Sequence, residues 1–192
     1  MDWTTTHLET LLANIWTKLQ MACKDKSHPW RNPVFTTVNV NRPAGRVVVL
    51  RAVDPKSRVL VCYSDVRANK IQQIYSHPWS EWVFYDPVES MQLRVLGRTI
   101  VHHEDKEAEA AWRSQSINHL HYLSPLAPGT GLPATLPTEI PAEEEGQLAF
   151  QNFALLSTIA ERMDWLHVGE TSDRRAAFEW VEGRLHAIWM VP

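Results

Sequence analysis

The side chains with the most chemical potential in this chain are a scattered set of cations and their polar companions. Arg46-Val47-Val48-Val49-Leu50-Arg51-Ala52-Val53-Asp54 sets two guanidinium groups around an apolar, β-prone run. Side chains of a strand alternate between faces, which predicts Arg46 and Val48 on one face and Arg51 with Val47 and Val49 on the other. Basic residues bracketing an apolar strand are ordinarily edge features, and the segment alone implies no more. Residues further along the chain give it weight. Tyr63-Ser64 closes the next strand, and Asn69-Lys70 falls near a helix start, where free N–H groups and the helix dipole favour an anion. Gln92 lies in a later strand, and Trp165 stands ten residues before Arg175.

Other chemistries find little support. There is no GxGxxG, no Walker A loop, no GxSxG elbow and no HExxH. His102-His103 and His119-Leu120-His121 read as a polar strand end and helix end, and no cysteine cluster or acidic partner at ligand spacing joins them, so no metal is expected. Glu143-Glu144-Glu145 reads as a solvated turn. Cys23 and Cys62 are the only cysteines and form no CxxC pair, which fits a reducing, cytoplasmic setting. Residues 1–25 do not read as a signal peptide. No apolar run approaches the roughly 20 residues that span a bilayer. With a net charge of −3 and interspersed signs, the chain lacks the broad cationic face that nucleic acid or an anionic membrane requires. Nine tryptophans is a high count, explained most simply by core and interface packing and more specifically by a flat aromatic cofactor.

The elements that must position these residues are legible in the periodicity. Thr6-His7-Leu8-Glu9 reads as a capping box, and Leu8, Leu11, Leu12, Ile15, Trp16 and Leu19 form one helical stripe, predicting a helix over 6–24 that stops before Ser27-His28-Pro29. Then the period changes. Val34–Asn41, Arg46–Val53 and Arg58–Tyr63 read as a meander, interrupted by Pro43-Ala44-Gly45 and by Asp54-Pro55-Lys56-Ser57. Asp65 is placed to cap a short helix through Ile74, ended by His77-Pro78. Trp79–Tyr85 and Met91–His102 read as strands, and Glu104–Ile117 as a helix. Residues 124–141, rich in proline and glycine, read as a long irregular loop, a plausible lid. Phe150–Ile159, Met163–Val168, Arg174–Val181 and Arg184–Val191 close the chain as strands. At 192 residues one domain suffices, and many short strands without βαβ alternation imply a mainly β (α+β) barrel or sandwich with helices outside.

Taken in order, Arg46-x-aliphatic-aliphatic-aliphatic-Arg51, Tyr63-Ser64, Asn69-Lys70, Gln92 and the Trp165/Arg175 pair resemble the pyridoxamine 5'-phosphate oxidase family of FMN-binding proteins. The resemblance covers residues 34–101 closely and 150–192 more loosely. It implies a six- to eight-stranded antiparallel split β-barrel with flanking helices, with the barrel over 34–192, and FMN as cofactor. Arg46, Arg51, Ser64 and Lys70 would then hold the phosphate and ribityl chain, with Tyr63 and Asn69 beside them. A phosphate needs such charge-assisted contacts, each worth about 1.5–3 kcal/mol. Val47, Val48 and Val49 would lie along the ring system. Gln92, Trp165 and Arg175 would reach it from a second copy of the chain, making the site the property of a homodimer. Gln115-Ser116 is a looser match to a family contact. The sequence departs from the family at three places: Arg51 stands for Lys, Asn69 for Arg, and Thr171-Ser172-Asp173 for the Arg-x-His element that grips a vitamin B6 substrate. The functional expectation is an FMN-dependent oxidoreductase acting on a small molecule. The alternatives are a flavin- or haem-binding protein without turnover, for which His119 and His121 are formal haem candidates, and a barrel dimer with no cofactor.

Overall fold

The computed structural model describes residues 3–4, 6–114, 122–131, 145–170 and 172–192. Nine antiparallel strands form one sheet: β1 (Val34–Asn39), β2 (Arg42–Val47), β3 (Ala52–Asp54), β4 (Val59–Asp65), β5 (Trp79–Asp86), β6 (Met91–His102), β7 (Phe153–His167), β8 (Arg174–Val181) and β9 (Arg184–Met190). Among the described residues four α-helices flank them: α1 (Leu8–Lys24), α2 (Asn69–Ser76), α3 (Lys106–Ser114) and α4 (Glu145–Asn152). The strand order is β2-β1-β5-β6-β7-β4-β3, with β8 and β9 branching from β7.

That branch is what splits the barrel. β7 pairs with β6 along nearly its whole length, but its other edge is shared: residues 153–159 pair with β4 and residues 162–167 with β8. The changeover coincides with a bulge, where the β6 register shifts between Leu96 and Gly97 and Glu161 is the extra residue. The bulge keeps Ala160 and Met163 on the same inner face. Here β7 comes so close that a Cβ on Gly97 would lie 2.1 Å from the Ile159 carbonyl oxygen, leaving room only for glycine.

The inner face carries Phe35, Leu60, Cys62, Trp82, Phe84, Leu93, Val95, Leu156, Met163, Trp165 and Phe178, and Leu11, Ile15 and Leu19 of α1 pack against them. Within this core Trp82 donates from Nε1 to the Thr158 hydroxyl at 2.9 Å, and Ser80, Thr99 and Thr158 continue as a hydroxyl chain, so these four buried polar groups are partnered. A second apolar cluster of Ala108, Tyr122, Leu123, Ala149, Phe153 and Leu155 covers the opposite face of the β4–β7 half.

The structure alters several sequence expectations. Nine strands replace the six to eight implied by the resemblance, and Arg46–Val53 is not one strand. β2 begins at Arg42 and contains Pro43, Ala44 and Gly45, which is compatible with its place at the sheet edge. Beyond Val47 the chain turns inward: Arg31 Nη1 clamps the Leu50 carbonyl at 2.8 Å and Leu50 is fully buried, so the simple alternation does not reach Arg51. The capping box is not formed: α1 starts at Leu8 behind His7, which makes no side-chain cap. α2 starts at Asn69 behind Ala68, while Asp65 turns to Arg67. β7 is a single strand through 159–163, because the bulge absorbs the break in alternation, and α4 stands where no helix was expected. Residues 115–121 and 132–144, with Gln115, Ser116, His119, His121, Glu143, Glu144 and the second half of the loop, lie outside the described residues.

Candidate functional site

Three cations meet at the C-terminal end of β4. On its inner face, Lys70 of α2 donates from Nζ to the Ser64 hydroxyl at 3.0 Å, and that hydroxyl donates to the Asp65 carbonyl at 3.1 Å. Arg46 is paired in register with Phe35, so its side chain also turns inward. Its Nη1 donates to Thr37 Oγ1 at 2.7 Å and its Nη2 to Gln73 Oε1 at 3.1 Å, while Thr37 donates to the same amide oxygen at 2.5 Å. Gln73 lies three residues after Lys70 on α2, so one helix face presents both groups. Arg51 reaches the same end of β4 with its guanidinium 5.4 Å from the centre of the Tyr63 ring.

The electrostatics are those of a cation cluster short of counter-charge. Burial pulls the Lys70 ammonium below its ordinary value, and Arg46 adds to that while Cys62 and Asp65 oppose it. Burial likewise lowers the Arg46 guanidinium. The Cys62 thiol feels Lys70, Arg46 and Arg51 together, yet burial outweighs all three and pushes it up to about 12. Tyr63 is raised by burial against Arg51, and Tyr122 is pushed up to about 12 by burial. The acid that Lys70 senses, Asp65, is held by Arg67 through Nε–Oδ1 at 3.0 Å and Nη2–Oδ2 at 2.6 Å. Among the described residues Arg46, Arg51 and Lys70 form no ion pair, and Arg51 Nε is buried without a hydrogen-bond partner. A buried donor without an acceptor is costly, and an anionic ligand at this place would relieve it. This donor set fits a phosphate.

Around the cluster, Asn69 opens α2 and lines a cleft of about 650 Å³ together with Asn39, Gln72, Gln73 and Ser76. The first residues of the proline- and glycine-rich loop run past it: Arg67 Nη1 donates to the Ser124 carbonyl at 2.9 Å. Val47 is exposed on the outer face, and Val48 and Val49 are half-buried on the way to Leu50.

The remaining sequence candidates lie elsewhere. Gln92, Leu166 and Arg175 are consecutive partners across β6, β7 and β8, so Gln92 and Arg175 share the outer face, opposite to Arg46 and Ser64. Trp165, one residue from Leu166, points inward and is fully buried, stacked against Trp3 at 6.1 Å and His167 at 6.0 Å. Arg175 holds the buried carboxylate of Asp164 by Nε–Oδ1 at 3.0 Å and Nη2–Oδ2 at 2.8 Å, which raises its guanidinium above the ordinary value. A single chain therefore gathers Arg46, Arg51, Tyr63, Ser64, Asn69 and Lys70, and leaves Gln92, Trp165 and Arg175 apart from them. Sequence reasoning missed Gln73 and Asp164. The helical spacing from Lys70 marks the first; nothing local marks the second.

His102, Asp105 and Glu107 bring ligand-type atoms within 4.8 Å of one another. Both ring nitrogens of His102 are engaged, by Asp105 Oδ2 at 2.8 Å and Ser157 Oγ at 2.9 Å, and Asp105 Oδ1 accepts from the Ala108 N–H at the start of α3. That trio ties a strand end to a helix start.

Residues 13–103 match the family model described as pyridoxamine 5'-phosphate oxidase, FMN-binding domain. Among solved structures, the chain is similar to a pyridoxamine 5'-phosphate oxidase-related, FMN binding protein from Nostoc punctiforme, with 21% identity and a TM-score of 0.72 over 98% of this chain and 100% of that one. It is also similar to PhzG from Burkholderia lata, solved with tetrahydrophenazine-1-carboxylic acid, at 15% identity and a TM-score of 0.68 over 100% and 95% of the two chains. General Stress Protein 26 from Bacillus anthracis aligns over 79% of this chain and 93% of its own, with 15% identity and a TM-score of 0.51. These likenesses establish the fold. No curated protein sequence matches the chain.

Proposed function

For a chain of the pyridoxamine 5'-phosphate oxidase-like, FMN-binding kind, we propose that it binds FMN between two copies of itself and acts as an oxidoreductase on a small molecule. The observation that carries the reading is the cluster of Arg46, Arg51 and Lys70, left without carboxylate partners among the described residues and with Arg51 Nε buried and unpartnered. Such an arrangement is unfavourable in the free chain and favourable around a phosphate.

FMN, when bound, supplies reversible two-electron or one-electron acceptance. The chain's own residues do the rest. Arg46 is pre-aimed by Thr37 and Gln73, so little side-chain freedom is lost when it meets a ligand oxygen. Lys70 and the Ser64 hydroxyl offer a second pair of donors from one place. Val48 and Val49 give an apolar wall leading away from the cations, suited to a flat ring that must be kept from water.

A second copy is expected on the outer face of β1, β2, β5, β6, β7, β8 and β9. Val34, Val47, Tyr85 and Ile188 are exposed there at 40%, 64%, 58% and 63%, and the intervening charges are already paired within the chain. An apolar surface with compensated charges suits self-association. It would bring Gln92 and Arg175 of one copy towards the cation cluster of the other.

The test is direct. Purified protein should be yellow, elute as a dimer, and release FMN on denaturation. Colourless protein that takes up no added FMN would sink the reading. With FMN bound, bleaching by substrate under anaerobic conditions separates an oxidoreductase from a carrier.

A further inference from the structure

The two groups of cations in this chain are treated differently. The cluster at β4 is left without carboxylates among the described residues. In contrast, each of the four arginines that β6, β7 and β8 direct to the outer face has its own acid. Arg94 pairs with Glu81 at 2.7 Å, Arg98 with Glu161 at 3.1 Å, Arg162 with Glu179 at 3.7 Å and Arg175 with Asp164 at 2.8 Å. The last is the tightest fit of the four to a two-point geometry. Asp164 uses both carboxylate oxygens on Arg175 Nε and Nη2, and it is only 7% exposed although it sits on the sheet's outer face.

A carboxylate buried in this way cannot move off to solvent when a ligand arrives. The pair therefore stays closed and presents zero net charge, with Nη1 as the remaining guanidinium nitrogen. An anion brought to this position would meet a guanidinium already neutralised by Asp164. Desolvating it there has no compensating charge.

We propose that Asp164 is a specificity-determining residue: by holding Arg175 in a neutral pair it restricts the site to substrates that carry no phosphate or carboxylate where they meet β8. Uncharged or cationic small molecules are the class that fits. This inference rests on the reading of a flavin site shared between copies, to which Arg175 contributes. The cationic cluster of the other copy is then reserved for the cofactor, and the substrate side carries no net positive charge.

The experiment uses FMN-loaded wild-type dimer and the near-isosteric variant Asp164→Asn, titrated with inorganic phosphate and with benzoate while the flavin absorbance spectrum is followed. Wild-type protein should show no saturable change at millimolar anion. The Asp164→Asn protein, with Arg175 uncompensated, should bind both anions at least roughly tenfold more tightly, as one added unit of positive charge near a protein surface implies. The double variant Asp164→Asn/Arg175→Gln should lose that gain. Asp164→Ser takes the place of the asparagine variant should the latter fail to fold. Equal responses of wild type and variant, whether both bind or neither does, overturn the inference while the flavin reading stands. Failure of the wild-type protein to hold FMN overturns both.

Discussion

Replacing Lys70 by methionine separates a ligand-holding cation from a structural one, because the two roles predict opposite signs. In the free chain Lys70 is half-buried beside Arg46, and its one hydrogen bond among the described residues is to the Ser64 hydroxyl. Methionine fills a similar volume without a charge to desolvate. Loss of the Ser64 contact costs about 1 kcal/mol, and removal of a poorly compensated ammonium returns a similar amount or more, so the flavin-free variant should be equally stable or up to about 1 kcal/mol more stable. FMN affinity should move the other way. One charge-assisted phosphate contact is worth about 1.5–3 kcal/mol, so Kd should rise roughly 10- to 150-fold. The assay is quenching of FMN fluorescence for affinity and urea denaturation of flavin-free protein for stability. The pH dependence has a definite sign. The folded pKa of Lys70 lies below the ordinary 10.5, so its penalty is fully present at pH below that folded value. It is relieved as pH rises through the folded value towards 10.5, and the stability gap between variant and wild type should close at alkaline pH. A variant that loses more than about 2 kcal/mol of flavin-free stability and binds FMN normally would refute the reasoning.

Gly97→Ala places a methyl group 2.1 Å from the Ile159 carbonyl oxygen, and a loss of about 2–3 kcal/mol or failure to fold is expected in urea melts. Lys18 is buried between the carboxylates of Asp86 and Glu89 and lies over the Trp3 and Trp30 rings, so Lys18→Met should cost about 3–5 kcal/mol by stranding buried acid. Burial raises the Asp86 pKa, but hydrogen bonds from Lys18 and the Glu89 and Val88 N–H groups outweigh it and hold the carboxyl below its ordinary 3.8. Its contribution is therefore present above that value and lost as pH falls through the lower folded one, and the variant's stability should show a shallower acid slope. Burial pushes the Cys23 and Cys62 thiols up to about 11 and about 12, so neither should react with a disulfide reagent at pH near 8 until the chain is unfolded.

The sequence by itself determined the class of the protein. Alternation of apolar residues marked β5 and β6 to within one residue, the Leu11–Leu19 stripe marked α1, and His77-Pro78 stopped α2, because these signals are local and follow from backbone geometry. Residue types at Arg46, Ser64 and Lys70 pointed to an anion site, and the fold brings those three side chains to one end of β4. Tertiary structure decided the rest. Whether Arg46–Val53 stays one strand depended on Arg31 clamping Leu50 from a distant turn, and β7 became one strand only because a bulge against Gly97 restored its inner face. Which cations stay uncompensated was likewise a matter of long-range pairing. Arg67 takes Asp65 away from Lys70, whereas Asp164 reaches diagonally across a strand pair to Arg175. Charge compensation acts over a few ångströms of space, and separation along the chain carries almost no record of it.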